Sequence, residues 1–444
     1  MFAPDAAAPG HAYWWDDRPA EPELTLSRPA KVDILVIGGG YTGLSAAIAA
    51  ADGGASVCIV DADRPGAGAS TRNGGMFGAH PRLNFETMKA RFDEDSARGI
   101  LAEAKPALDF ATGLIDRENI DCDLQQTGRI MLAWTKEHYQ NLTKTHDYLT
   151  AHTATEARMV EHADLGDEIG TDRYFGGLLL PNHYAIHPRK FHDGLLASAL
   201  RRGVEVVPDC PVTKWRRQGT GYEVTTPMGA IKAGKIILAT NGYTTSAFPW
   251  VRRRVFPLPS FIIATEPLSP NLLAKLAPGR RMMVETRARH SYFRLSPDGT
   301  RVLWGGRAAM KHIDVQKGAA RLRETMCEIW PELKGVGLSH CWMGNTGYSF
   351  NHTPHVGEVE GLHYAMGYSG SGTVMAPYLG AKAAWRALGD PRGETAFAND
   401  SAKFTTKLVH PGGTPHFMKL VDIWYHQVVD RVQNRAAAKD RAKR

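Results

Sequence analysis

Three glycines near the N-terminus have the spacing of a dinucleotide-binding turn. Gly38, Gly40 and Gly43 form a GxGxxG pattern between an almost wholly apolar run at 32–37 and an alanine-rich helical segment at 42–52. In such a turn the first glycine permits the tight bend, the second lets the backbone approach a pyrophosphate, and the third lets helix and strand pack closely. The helix start offers N–H groups and the positive end of a dipole to the phosphates. The pattern predicts a βαβ unit that binds a dinucleotide.

A carboxylate follows where such a unit contacts ribose. Asp61 ends a second apolar run at 56–60. An acid at this position accepts hydrogen bonds from the ribose hydroxyls and repels a 2′-phosphate, which argues against NADP. The chain carries one complete GxGxxG pattern with a trailing acid. Since no second unit is present for NAD(P)H, the substrate is the expected electron donor.

Two further glycine-rich loops favour FAD over NAD. The polar loop at 66–75 is well placed to run along a longer dinucleotide. Loop 367–373 precedes a predicted helix at 377–388 and can bring N–H groups to an isoalloxazine ring. Three separated loops suit one large cofactor. The residues predicted to bind FAD are Gly38, Gly40, Tyr41, Thr42, Gly43, Asp61, Ala62, Gly68, Ala69, Ser70, Thr71, Arg72, Asn73, Gly74, Gly75, Val212, Gly344, Gly370, Ser371, Gly372 and Thr373.

The elements that must position these loops alternate along the chain. Region 84–180 is mainly helical in pattern with a strand at 128–134, and Pro188 opens a helix that leads into a strand at 204–207. No repeat or flexible linker separates the segments, so two interleaved domains of mixed α/β and α+β class are predicted. The predicted bounds are 1–83, 186–255 and 341–400 for a Rossmann-like FAD-binding domain, 84–185 and 256–340 for a substrate domain, and 401–444 for a C-terminal segment with a basic helix.

The composition is that of a globular protein in a reducing compartment. The chain has 444 residues, of which 43% are hydrophobic and 22% charged, and a net charge of +7. Its five scattered cysteines form no CxxC pair and no zinc-like spacing, so no metal is expected. The N-terminus lacks a signal-like pattern and no run reaches 18 apolar residues. These features predict a cytoplasmic monomer or homodimer without nucleic-acid contact, and they argue against membrane contact.

The last segment of the chain leaves two interpretations open. Residues 421–444 carry an apolar stripe before a basic tail, with the stripe formed by Ile423, Trp424, Val428, Val429 and Val432. A helix docked on the protein body is the favoured interpretation. Attachment to a membrane surface is the alternative.

Beyond the glycine loops, the chain resembles the FAD-dependent D-amino acid oxidase superfamily, which includes glycine oxidase and sarcosine oxidase. It is most similar to the gamma-glutamylputrescine oxidase branch. The resemblance rests on segments in family order: Asp121-Cys122-Asp123, Asp172-Arg173-Tyr174, Ile186-His187-Pro188, Tyr292-Phe293-Arg294-Leu295, Trp304-Gly305-Gly306, Trp342 with Gly344-Asn345, Pro354 with Gly357, and Tyr368-Ser369-Gly370. It implies a discontinuous flavin domain and a substrate domain whose large antiparallel sheet covers the isoalloxazine ring.

The resemblance also implies a reaction. Members oxidise a C–N bond of a small amine or amino acid: a hydride passes to the flavin, the imine hydrolyses, and O2 takes the electrons to give hydrogen peroxide. The alternative is an amine or D-amino acid dehydrogenase, or an electron-transfer flavoprotein, that passes electrons to a partner or quinone. Leu303 stands where sarcosine oxidases have a lysine over the flavin, and Ser371 replaces a histidine of the nearest branch. These two departures leave the choice of electron acceptor open.

Substrate contacts are expected in 283–307 and in two aromatic residues nearby. Arg294 or Arg307 could hold a carboxylate through a bidentate guanidinium, while Tyr368 and Trp342 could wall the amine site. The predicted catalytic set is therefore Tyr368, Arg294 and Trp342.

The family position of a cysteine tether falls near Gly344, about three residues from Cys341, so FAD is predicted to be non-covalent.

Overall fold

Two eight-stranded sheets dominate the part of the chain that the computed structural model describes, namely residues 1–17, 24, 27–78, 83–398, 403–407 and 410–443. In chain order the strands are β1 (Lys31–Ile37), β2 (Val57–Val60), β3 (Met76–Phe77), β4 (Arg129–Leu132), β5 (Arg158–Val160), β6 (Gly177–Leu180), β7 (Tyr184–Ala185), β8 (Glu205–Val207), β9 (Lys214–Gln218), β10 (Gly221–Thr226), β11 (Gly229–Leu238), β12 (Val255–Thr265), β13 (Met282–Glu285), β14 (Ser291–Leu295), β15 (Val302–Gly306), β16 (Leu338–Ser349), β17 (His355–Val359) and β18 (Leu362–Met366).

Helices pack on one face of the first sheet and flank the second, while the β9–β10 hairpin packs on the other face of the first sheet. They are α1 (Tyr41–Asp52), α2 (Phe85–Arg91), α3 (Glu94–Ala102), α4 (Ala104–Arg117), α5 (Lys136–His152), α6 (Pro188–Arg201), α7 (Pro249–Arg252), α8 (Pro270–Leu276), α9 (Val315–Ile329), α10 (Gly372–Leu388), α11 (Met418–Trp424) and α12 (Asp430–Arg441), with a π-helical turn at Tyr425–Val429 joining the last two.

The first sheet has the order β17-β18-β11-β1-β2-β8, with the β9–β10 hairpin attached to β11. Its central strands β18, β11, β1, β2 and β8 run parallel. Parallel strands covered on both faces are almost wholly apolar, and β1 is buried at Val32 and from Ile34 to Ile37. The predicted βαβ unit and Rossmann-like fold class are confirmed.

The second sheet has the order β16-β12-β15-β14-β13-β4-β6-β5 and is antiparallel except for the β13–β4 pair. One of its faces builds a core with α8 and α9 that includes Phe293 and Trp304, whose rings stack 4.0 Å apart. The other face points toward the first domain. β16 spans the predicted boundary at 340/341 and pairs along β12 in this second sheet; the domain bounds stay a prediction.

Helices α1 and α10 pack closely side by side. A Cβ on Gly380 of α10 would overlap the carbonyl oxygen of Thr42 in α1, so glycine is what allows the two backbones to meet. α10 begins at Gly372, five residues before the predicted start, and Pro377 lies inside it. The carbonyl of Pro377 accepts a hydrogen bond from Ser45 Oγ at 2.7 Å, which ties α10 to α1.

The C-terminal helix lies on the substrate domain. Asn434 Oδ1 accepts from Trp134 Nε1 at 3.1 Å, and Ala437 is buried in the core of the second sheet. The Trp134 ring also lies 4.2 Å from the Arg287 guanidinium and 5.0 Å from that of Arg441. Within the described ranges, no helix combines the length and the apolar character needed to cross a bilayer.

Candidate active site

A cavity of about 790 Å³ lies between the first sheet and the free face of the second. Its walls come from the three glycine loops at one end and from β4, β12, β13 and β14 at the other, with Arg307 just after β15. Most small-molecule sites are smaller than about 1,000 Å³, so this volume is at the large end of that class.

The first glycine loop leaves a helix start open to the cavity. Gly38 adopts φ +105°, a left-handed conformation suited to glycine, beside the carbonyl of Ala239. A Cβ on Gly40 would lie 2.8 Å from Ser70 Oγ. Helix α1 then begins with Gly40 as N-cap and without a side-chain cap. Ser70 Oγ accepts from the Tyr41 N–H at 3.0 Å. The N–H groups that follow it in the first turn are what a pyrophosphate requires, so this end fits the phosphates of FAD.

Asp61 lies at the end of β2 on the same wall. Its Oδ2 accepts from the Gly39 N–H at 2.6 Å and its Oδ1 from the Asp63 N–H at 3.1 Å. Burial raises the pKa of this carboxyl, while the two backbone N–H groups oppose that shift. A half-buried carboxylate with remaining acceptor capacity is suited to bind ribose hydroxyls.

The second loop is held by its own side chains. Thr71 Oγ1 donates to the Gly66 carbonyl at 2.7 Å, Arg72 Nε to the Ala67 carbonyl at 2.8 Å, and Asn73 Nδ2 to the Ser70 carbonyl at 2.9 Å. The N-terminal arm braces it from outside, because Trp14 Nε1 donates to the Asn73 carbonyl at 2.7 Å. The loop is therefore preformed around the cavity.

The third loop brings a second helix start to the cavity. Gly367, Ser369 and Gly370 have φ values of +78°, +52° and +106°, and α10 begins at Gly372 without a side-chain cap. Tyr368 Oη lies 2.7 Å from Thr42 Oγ1, which joins this loop to α1. The two helix starts thus share one cavity.

The structure brings nearly all of the predicted FAD-binding residues to this cavity. The exceptions are Gly43, Thr71 and Gly75, which lie behind its lining. A Cβ on Gly43 would overlap the Gly38 carbonyl, so this glycine acts through the turn. Gly75 is covered by the carbonyl of Ile186.

Two of the three residues predicted to be catalytic lie outside the cavity lining. Arg294 is buried and donates to the carbonyls of Gly75, Ile186 and Leu295 at 2.8–2.9 Å. Burial lowers its pKa to about 10. Trp342 is fully buried and donates to the Arg72 carbonyl at 2.9 Å. Both side chains support the second loop from behind. Tyr368 does line the cavity, and burial raises the pKa of its phenol.

The substrate-domain wall carries polar residues that the predicted set omitted or treated as secondary. Tyr292 Oη lies 2.9 Å from Ser260 Oγ, and the ring occupies space that a Cβ on Gly305 or Gly74 would fill. Arg307 donates to Tyr348 Oη and its guanidinium lies 4.7 Å from that ring. Side chains at 292–294 and 303–307 alternate between the two faces of the sheet, so the sequence indicates which of them share the cavity face. It does not indicate which of those side chains other segments cover.

A buried ion network borders the same wall. Glu285 accepts from the Ser291 N–H at 2.8 Å and from Tyr174 Oη at 3.0 Å, and it pairs with Arg287 at 2.9 Å. Arg287 also bonds Glu328 at 2.8 Å. Because its charge is matched and its oxygens are engaged, this carboxylate serves the structure of the wall.

Cys341 lies on the opposite face of the second sheet. It belongs to the core with Phe293 and Trp304, and burial raises the pKa of its thiol. The thiol therefore points away from the cavity.

Known proteins resemble this chain over most of its length. The family model described as FAD dependent oxidoreductase (DAO) matches residues 33–386. The chain is 30% identical over 394 residues to the "Probable oxidoreductase OrdL" of Rhizobium meliloti, covering 86% of this chain and 89% of the relative. It is 28% identical over 377 residues to the gamma-glutamylputrescine oxidoreductase of Escherichia coli, covering 84% and 88%.

Solved structures share the fold. Glycine oxidase from Geobacillus kaustophilus superposes with a TM-score of 0.70 at 20% identity, covering 86% of this chain and 99% of that one. The family match spans both sheets and all three glycine loops. The same span contains the two helix starts and the acid that suit FAD. The chain therefore belongs to the DAO family of FAD-dependent oxidoreductases.

Proposed function

We propose that this enzyme oxidises the C–N bond of a small amine or amino acid. The observation that carries the proposal is the continuity of the cavity, which runs from Asp61 and the two helix starts to the polar sheet face around Tyr292 and Arg307. A cofactor bound in the glycine loops would therefore share one cavity with a small substrate. The names of the Escherichia coli relative and of glycine oxidase support this substrate class.

The side chains of this chain would bind and orient the substrate. FAD, when bound, supplies the two-electron acceptor for the reaction. The Tyr292 phenol keeps its proton, because burial raises its pKa, so it can donate a hydrogen bond to a substrate. Arg307, beside Tyr348, offers a guanidinium that matches a carboxylate. Orientation by these groups would place the C–N carbon toward the cofactor end.

The substrate amine should enter without its extra proton. Among the described lining residues the carboxylates are Asp61, Asp63 and Glu285. The first two border the nucleotide end and the third pairs with Arg287, so none of them is placed to take the proton of a bound ammonium group. The substrate then loses a hydride and a proton to become an imine, which water hydrolyses. We propose that O2 is the final acceptor and hydrogen peroxide the second product.

We propose that FAD is bound without a covalent tether. Cys341, the cysteine nearest to the family's tether position, belongs to the core on the far side of the sheet from the cavity. A bond from its sulfur to the cofactor would require β16 to turn over. The hydrogen bonds of the loops and helix starts would hold the cofactor instead.

The test uses the purified holoenzyme and a panel of amines, D-amino acids and N-alkyl amino acids. Under anaerobic conditions a substrate should bleach the flavin absorbance, and admitted air should restore it quickly with one peroxide per turnover. If no member of the panel bleaches the flavin, the proposed reaction is wrong. If bleaching occurs but only a quinone restores the colour quickly, the enzyme is a dehydrogenase and O2 is not its acceptor.

Replacing Arg307 by methionine should raise the KM for carboxylate-bearing substrates by about 10- to 100-fold, since a charge-assisted hydrogen bond contributes about 1.5–3 kcal/mol. Simple amines should be affected far less. Steady-state kinetics with a matched pair of substrates, with and without the carboxylate, measures the difference. Arg307→Lys keeps the charge but loses the bidentate guanidinium, so its KM for carboxylate-bearing substrates should lie between those of the parent and of Arg307→Met. Equal effects on both substrates would remove Arg307 from carboxylate binding.

A further inference from the structure

One segment of the surface concentrates exposed apolar side chains. Ten large hydrophobic residues are exposed in the described structure, and six of them lie between 417 and 432. The side chains of Leu420 and Val432 are 70% and 59% exposed, so more than half of each is in water. We name this surface the outer C-terminal face; it consists of Phe417, Leu420, Ile423, Trp424, Val428 and Val432. Clustered exposure of this kind marks an interaction site more often than scattered exposure does.

The acidic residues of this helix all turn toward the protein body. Asp422 Oδ1 accepts from the Met310 N–H at 2.7 Å, Asp430 pairs with Arg289 at 2.6 Å, and Asp440 Oδ2 accepts from the Lys136 N–H at 3.3 Å. These contacts fix how the helix is rotated about its axis. They also remove negative charge from the solvent side.

The charged residues on the solvent side are cationic. Lys419, Arg431, Arg435, Lys439 and Lys443 are all exposed. Lys419 borders the apolar residues at one end, and Arg431 and Arg435 flank Val432 at the other. The outer C-terminal face is therefore apolar with a basic margin and an exposed tryptophan at its centre. Helices of this composition lie in the interface of anionic membranes, with the tryptophan near the headgroups.

We propose that the outer C-terminal face docks on the surface of an anionic lipid membrane. A second copy is a poorer occupant, because a two-fold contact would place the cations of each copy against those of the other. Lipid phosphates neutralise the same cations while the apolar side chains leave water. The proposal combines the two interpretations of 421–444: the helix is docked on the protein body and its outer side attaches to a membrane surface. The contact is peripheral.

The inner side of the same helix reaches the cavity. Tyr425, in the π-helical turn next to Trp424, is among the residues that line it. Membrane docking would therefore occur on the outer side of a helix whose inner side closes the active site. The proposal does not depend on the identity of the substrate.

The test is vesicle co-sedimentation of the full-length FAD-loaded enzyme. Vesicles of phosphatidylcholine with phosphatidylglycerol should pellet the enzyme, and high salt or pure phosphatidylcholine should weaken binding by tenfold or more. The triple variant Leu420→Ser, Ile423→Ser, Trp424→Ser should lose binding by at least tenfold. The double variant Arg431→Gln, Arg435→Gln should also bind anionic vesicles more weakly than the parent. Flavin absorbance verifies that each variant is folded.

Matched controls lie elsewhere on the surface. Met228→Ser removes an exposed apolar side chain outside this face, and Lys214→Gln with Arg217→Gln removes two exposed cations; both should bind like the parent. The proposal is overturned if neither vesicle type pellets the enzyme or if the triple variant binds unchanged. It is also overturned if light scattering shows a dimer that the triple variant dissociates, since the face then belongs to a second copy.

Discussion

Replacing Gly43 by alanine should give a protein that purifies with little or no FAD. The added Cβ would overlap the Gly38 carbonyl and lie 3.1 Å from Val36 Cγ1. Both neighbours belong to the turn and strand that place the helix start, so relief requires α1 to move away from the phosphate position. Overpacking of this kind costs about 1–3 kcal/mol, which corresponds to roughly 10- to 100-fold weaker FAD binding. The ratio of flavin to protein absorbance and an FAD titration of the apoprotein measure it.

Gly166→Ala is the matched control for this prediction. No heavy atom lies within 4 Å of the position that its Cβ would take, so this variant should keep its FAD and its thermal midpoint. A Gly43→Ala protein with full flavin content and unchanged affinity would show that the turn can open without cost. The helix start would then not be the main phosphate contact.

Replacing Arg294 by methionine should destabilise the protein strongly. The change leaves the buried carbonyls of Ile186 and Leu295 without this donor, while the Gly75 carbonyl keeps the Ile186 N–H at 2.9 Å. An unsatisfied buried polar group costs about 1–3 kcal/mol, so we expect a loss of roughly 3 kcal/mol or more in the free energy of unfolding. Thermal or denaturant unfolding of the holoenzyme gives the change. FAD should also bind less tightly, since Gly75 ends the second loop.

Arg307→Met provides the contrasting case. It should raise KM for carboxylate substrates and lower the unfolding midpoint less, since it removes a hydrogen bond to Tyr348 Oη. Arg294→Met should lower the midpoint strongly and leave the KM of the surviving enzyme near that of the parent. If Arg294→Met unfolds like the parent and raises KM for carboxylate substrates, Arg294 is the substrate-binding arginine after all. The exposed Arg217→Met should change neither quantity.

The parts of this molecule that the sequence predicts well are those set by local chemistry. The buried strand Lys31–Ile37, the glycine turn and Asp61 follow from residue types within about 30 positions, and the confirmed FAD cofactor and fold class rest on them. Loop 367–373 follows from its own glycines in the same way. The predicted start of α10 at 377 is too late: prolines are favoured in the first turn of a helix, whereas Pro377 lies in the second turn.

The substrate end depends on long-range arrangement. Tyr292 and Arg294 are two residues apart on one strand and share a face, yet the Gly74–Gly75 segment covers Arg294 and leaves Tyr292 in the cavity. Trp342 is likewise covered by the second loop and the N-terminal arm. No local pattern encodes which segment of a distant loop lies over which side chain. For the same reason the direction of each acid on the C-terminal helix emerged only from the packed structure.

The interleaving of the two domains has a consequence for biosynthesis. The cavity is lined by residues from Ile37 to Tyr425, so its lining is complete only near the end of translation. Strand β16, which pairs with β12, is also late in the chain, and so is the third loop. We therefore expect the emerging chain to hold an incomplete nucleotide pocket for most of its synthesis, and to acquire the cofactor after release. In a cell short of riboflavin, the species that accumulates would be a full-length chain awaiting its flavin.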